Sequence, residues 1–192
     1  MARHYLDHAS TSPTRPDAVA AMAAALGSAG WGDPSRIHAE GQHARAAVEE
    51  ARDAVAGMLG ARNREVVLTS GATEAIHAAV WGAGERGGHQ VLAAIEHSAV
   101  RLAAARFDTS VVGCDRLGRV DPAELMAAVR PDTAVVHLQW GNHEVGTTQP
   151  AVEIVARCRL DFSRTTRVIP GALRDDGPLV GAAAVALFRD PS

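Results

Sequence analysis

The stretch EVVLTSGATEAIHAAVW, Glu65 to Trp81, decides how the chain is read. Glu65 to Thr69 reads as a short buried strand, Gly71 permits a tight turn, and Ala72 to Trp81 reads as the helix that follows. Strand then helix is the repeating unit of an α/β fold, and the same alternation continues on the C-terminal side. Val91 to Ile95, Ser110 to Val112 and Ala134 to Leu138 are strand candidates. Ser98 to Arg106 and Asp121 to Val129 are the helices between them, the second opened by Asp121 and Pro122. Ala151 to Arg159 is also predicted to be helical. On the N-terminal side, Arg15 to Leu26 is predicted as a helix with Pro16 near its first turn, and Gly27 to Pro34 is a glycine-rich break. Ile37 to Leu59 is a long predicted helix whose Ala44, Ala47, Val48, Ala51, Val55 and Met58 recur at spacings of three and four. Beyond Arg159 the pattern degrades until the apolar run Ala182 to Phe188. These alternations predict an α/β domain with a largely parallel sheet.

The bulk properties suit such a domain. The chain has 192 residues, 47% of them hydrophobic and 21% charged, which allows one α/β domain with a substantial core. A net charge of -3 gives no general reason to expect nucleic acid or an anionic membrane as partner. No apolar run approaches the roughly 20 residues needed to span a bilayer, and the N-terminus lacks the apolar core of a signal peptide. Cys114 and Cys158 form no disulfide framework; both read as buried structural thiols and fit a cytoplasmic protein. His38 and His43 lack metal-ligand spacing, and no metal is expected. All 19 basic side chains are arginine; there is no lysine.

Three loops carry candidate chemistry. Ser70-Gly71-Ala72-Thr73-Glu74 precedes a helix, so its free N–H groups and the Thr73 hydroxyl suit a phosphate, although Thr then Glu also simply begins a helix. Glu96-His97 follows a strand, and an imidazole that titrates near neutrality can exchange protons; equally, it is an ordinary surface histidine. Asn142-His143-Glu144-Val145-Gly146 follows the strand at Val135 and on its own reads as a turn.

Taken together, YLDHASTSPT from Tyr5, TSGATEA from Thr69, EHSAV from Glu96 and GNHEVGTTQP from Gly141 resemble the cysteine desulfurase branch of the class V aminotransferases. The resemblance runs from about Tyr5 to Arg159. It implies an α/β three-layer large domain of the fold type I pyridoxal phosphate (PLP) enzymes, incomplete here, with L-cysteine as the family substrate. It also implies that Ala72 and Thr73 belong to the cup for the cofactor phosphate, that His97 stacks on the ring and shuttles protons, and that Asn142 hydrogen-bonds the phenolic oxygen. Tyr5 to Pro13 resembles the family's opening arm. Gly32-Asp33-Pro34-Ser35 resembles its Gly-Asn-Pro-Ser segment, with Asp33 in place of asparagine. His143 stands where a second asparagine is common and receives no role.

The resemblance breaks after Arg159. The family continues with a strand carrying Val-Asp-Ala-Ala-Gln, whose aspartate pairs with the pyridine nitrogen; here Arg159 runs into Leu160-Asp161-Phe162-Ser163. Gly171 to Pro178 can be laid over the loop that carries the PLP-binding lysine, which places Arg174 at the lysine and puts Gly171 and Leu173 at phosphate ligands. A guanidinium stays protonated and cannot serve as that amine. The expectation is therefore a partial large domain over 1–159, a degenerate continuation over 160–192, and no small domain. PLP would be held, if at all, without a lysine. Autonomous desulfuration is not expected, and whether the chain is an enzyme is left open. Pairing as a homodimer, or as a non-catalytic partner with a full-length homologue, is the alternative role.

Overall fold

The computed structural model describes residues 4–5, 8, 10–27, 31–85 and 88–157. Arg174 with its neighbours, Cys158 and the apolar run 182–188 lie outside the described residues. The chain divides into two compact units, Met1–Leu68 and Thr69–Ser192.

The first unit holds two helices. Helix α1, Pro16–Gly27, begins at the proline and buries none of its residues. Helix α2, Ala39–Leu59, is capped by His38, whose Nδ1 accepts from Gly41 N at 3.2 Å. It ends at Gly60, where a φ of 65° reverses the chain and Ala61 N reaches back to Ala56 O at 2.9 Å. Asp33 tightens the turn before α2 by accepting from Ser35 N at 2.9 Å and from Ser35 Oγ at 2.7 Å. Of the six apolar positions picked out along α2, only Ala44 is buried, while Ala47, Ala51 and Met58 are exposed; Ala56, outside that set, is buried as well. A pair of helices offers too little partner surface to cover a whole apolar stripe.

The strand expected over Glu65 to Thr69 is corrected. Asn63–Glu65 is a 3₁₀ turn in which Arg62 and Glu65 bind each other, and the residues after it form no ladder. Val67 is 77% exposed. Apolar sequence alone does not make a strand; its N–H and C=O groups need a neighbouring strand, and none lies beside it among the described residues.

The second unit is α/β as expected. Helix α3 (Ala72–Gly84) leads to β1 (His89–Ala93), α4 (Ser98–Ala104), β2 (Thr109–Val112), α5 (Pro122–Ala128), β3 (Thr133–His137) and α6 (Ala151–Arg157). The strands are parallel in the order β2-β1-β3, with Val91 opposite Ser110 on one side and Val136 on the other. Because β1 is central, all five of its residues are buried. Alternation along it assigns the two faces. Val91 and Ala93 pack with Val112, Val120, Leu125 of α5 and Ile154 of α6. Leu92 packs on the other side with Val80 of α3 and Ala103 and Ala104 of α4. Helices thus cover both faces, giving three layers around a parallel sheet.

Candidate functional site

In an open parallel sheet, ligands bind beyond the carboxyl ends of the strands, where successive connections depart in opposite directions. With the order β2-β1-β3, that place is the crevice between β1 and β3. The loop after β1 carries His97, and the loop after β3 carries Asn142.

His97 caps α4: its Nδ1 accepts from Ala99 N at 3.1 Å. In the neutral ring this puts the proton on Nε2. The ring is exposed and its centroid lies 6.1 Å from that of His143, which brings the two loops together. Asn142 organises its own turn. Its Oδ1 accepts from Glu144 N at 2.8 Å and Val145 N at 3.0 Å, while its backbone N donates to Thr147 O at 2.8 Å. Gly146, at φ 69°, closes the turn and donates to Asn142 O at 2.9 Å. With Oδ1 committed, the Nδ2 hydrogens are the donors left to Asn142, and no described residue accepts from them. The turn is anchored from below by Gln149, whose Oε1 accepts from Val120 N at 3.0 Å and whose Nε2 donates to Gly118 O at 2.7 Å.

Ala72 and Thr73 open α3. Its N-cap, Gly71, has no side chain to offer, so the first-turn N–H groups have no side-chain cap. Glu74 turns back to accept from Ser70 N at 2.6 Å, and its hydrogen bonds with Ser70 hold its carboxyl below the usual range. Helix α3 packs on α4, the helix that His97 caps. No hydrogen bond or ring contact among the described residues links Ala72 or Thr73 directly to His97 or Asn142.

Two buried residues at the site escaped the sequence reading. Glu96 accepts from the backbone N of Gln139, and Gln139 Nε2 donates to Ile95 O. Burial pushes the Glu96 carboxyl above its ordinary value, opposed by that backbone donor. The one available signal was a glutamate directly before the strand-end histidine in EHSAV. Cys114 is a correction: it is exposed, in the turn that follows β2, rather than a buried thiol. Among the described residues no cluster of three or more His, Cys, Asp or Glu could hold a metal, and no helix is long and apolar enough to cross a membrane.

A three-layer α/β unit built on a parallel sheet, here incomplete, is the large-domain fold of the fold type I PLP enzymes. Residues 4–162 match the aminotransferase class-V family, to which the chain belongs. It is 39% identical over 163 residues to the putative cysteine desulfurase IscS 1 of Bacillus subtilis, covering 80% of this chain and 43% of that protein. Cysteine desulfurase IscS of Dictyoglomus turgidum is 36% identical over 159 residues, covering 78% and 40%. Among solved structures, a NifS-like protein superposes with a TM-score of 0.68 at 29% identity, over 77% of this chain and 43% of that one. SspA in complex with cysteine gives 0.69 at 30% identity, over 79% and 46%. The chain spans about two-fifths of the length of the curated relatives it matches.

Proposed function

We propose that this chain carries the ring- and phosphate-binding half of a cysteine desulfurase-like PLP site, and that these 192 residues do not by themselves desulfurate L-cysteine. The observation that carries the reading is the meeting of the His97 and Asn142 loops at the carboxyl edge of β1 and β3, with their rings 6.1 Å apart at His97 and His143. The donor set suits PLP. The uncapped first-turn N–H groups of Ala72 and Thr73, with the Thr73 hydroxyl, match a phosphate. The exposed His97 ring offers a stacking face and an Nε2 proton, and Asn142 Nδ2 offers donors for a phenolic oxygen. Bound there, PLP supplies an electron-accepting ring. His97 would hold or move a proton at Nε2, Asn142 would orient the ring, and the α3 terminus would fix its phosphate. With no lysine in the sequence, no side-chain amine of the usual kind is available to hold the cofactor covalently.

Residues 1–159 are on this reading part of one large domain, with 160–192 its degenerate continuation. The test is PLP titration of the purified chain, followed by absorbance, borohydride reduction and peptide mass mapping, with L-cysteine turnover assayed alongside. Saturable, reversible binding with no side-chain adduct and no sulfide is expected. Turnover of L-cysteine to alanine and sulfide by the pure chain would overturn the proposal.

A second reading has its own support. Met22, Leu26, Trp31 and Ile37 of the first unit are exposed, Ile37 by 90%, and such apolar surface marks contact sites. The chain on this reading is a non-catalytic partner that pairs with a full-length homologue or with itself. Co-purification with a full-length desulfurase would support it, and a monomer that ignores such a protein would exclude it.

A further inference from the structure

The β1–β3 ladder ends at Leu92 opposite His137, yet the residues expected to meet a ligand lie further on, at His97 and Asn142. Beyond that point the backbones of the two loops have no mutual pairing, and a different device joins them. Glu96, one residue before His97, accepts from the backbone N of Gln139, three residues before Asn142. Gln139 returns the contact, its Nε2 donating to Ile95 O. Both residues are 6% exposed. A carboxylate and a carboxamide thus continue the sheet's cross-strand bonding past the sheet's own end, in a place screened from water, where each bond is strong and its loss leaves a buried group unpaired.

We propose that Glu96 and Gln139 are positioning residues: their reciprocal clasp sets where His97 stands relative to Asn142, and so the affinity of the site for PLP. The inference rests on the PLP reading above, but its structural half is independent of it. Neither residue meets the cofactor. Each acts by holding a loop whose next residues do, as a support shell holds the groups that touch a ligand.

The experiment uses the full chain and the variants Glu96→Ala, Glu96→Gln and Gln139→Ala. Without cofactor, amide hydrogen exchange at Gln139 and nuclear Overhauser contacts between the His97 and His143 rings are measured. With PLP itself as the probe, affinity is measured well below each variant's melting temperature. In Glu96→Ala the Gln139 amide should lose at least tenfold protection, the ring contact should fade, and PLP affinity should fall about tenfold. Glu96→Gln, which keeps an acceptor oxygen, should restore most of all three. Gln139→Ala should weaken affinity about threefold and decides the matter if Glu96→Ala does not fold. A merely structural Glu96 would lower the melting temperature while leaving the ring contact and the affinity of folded protein unchanged, and that result overturns the proposal. If the parent chain binds no PLP, the site reading fails alone; loss of the ring contact in Glu96→Ala then still upholds the clasp, and its persistence removes it.

Discussion

Acidifying the solution from pH 7 toward 4.5 should destabilise this chain, and His137 should account for a large share of the loss. His137 ends β3 opposite Leu92, and its Nε2 and Gln90 Oε1 lie 2.9 Å apart, so the neutral ring donates to the amide oxygen. Burial lowers the imidazole from 6.5 to about 4. A depressed folded value means that the stabilising contribution is complete above the unfolded value of 6.5 and is lost as pH falls through about 4. The full difference corresponds to about 3 kcal/mol, and to about 2 kcal/mol after allowing for the solvent contact of a half-buried ring. At about 2 kcal/mol per molar urea, the unfolding midpoint should drop by roughly 1 M across that window. Glu96 works in the opposite sense. Its raised value gives stability that is complete below 4.5 and is lost as pH rises through its folded value. The measurement is therefore made in a Glu96→Gln background, following tryptophan fluorescence in urea at several pH values, with and without His137→Gln. The slope between pH 6.5 and 4.5 should flatten in the His137→Gln protein. Parallel slopes in the two proteins would refute the assignment of this acid sensitivity to His137.

Other consequences are simpler to test. At Gly84 an added Cβ would lie 2.5 Å from Phe107 Cζ and 2.6 Å from Gln90 Nε2, so Gly84→Ala should cost about 1–3 kcal/mol by urea unfolding. Gly82→Ala, in the same helix with nothing within 4 Å, should instead stabilise by roughly 0.5–1 kcal/mol. Leu125 is fully buried against Val91 and Ala93, so Leu125→Ala should lose about 2–5 kcal/mol, whereas exposed Leu102→Ala should change stability by less than about 0.5 kcal/mol. Asp121 accepts from Ala123 N at 2.7 Å as the cap of α5, and Asp121→Ala should cost about 1 kcal/mol; an unchanged melting curve would show that the cap is not used.

Much of this was legible from residue pattern, and the exceptions have physical causes. Asp121-Pro122 marked the start of α5 because a side-chain acceptor and a pre-set φ act locally. Strand β1 was displaced in the sequence reading: it runs over His89–Ala93, not Val91 to Ile95. His89 and Gln90 look like loop residues, but His89 is hidden in the sheet because Thr133 Oγ1, at 2.9 Å, and Ser110 Oγ, at 2.8 Å, satisfy its ring. Polar residues can be core when neighbouring strands complete their bonds, and hydrophobicity along one strand does not encode that. Val67 and Leu68 fail in the opposite way, apolar but without a partner strand among the described residues. The clasp of Glu96 and Gln139 joins positions 43 apart, so neither local pattern contained it.

The order of these parts along the chain bears on what the chain retains. Every residue assigned here to phosphate or ring lies between Ala72 and Asn142, on α3 or on the loops after β1 and β3. Those loops are held by the best-covered strand of the sheet, by Gln149 and by the clasp, all within the same unit. The covalent amine and the partner of the pyridine nitrogen belong, by the family resemblance, to positions after Arg159, where that resemblance breaks. Binding and covalent capture are therefore separable in sequence, and the first does not depend physically on the second. The decisive comparison is accordingly between PLP affinity and turnover in the same preparation. Binding that disappears in Asn142→Ala, in a chain with no turnover, would establish a cofactor-holding half-site; binding indifferent to Asn142 would mean that PLP sits elsewhere and that the β1–β3 crevice no longer serves it.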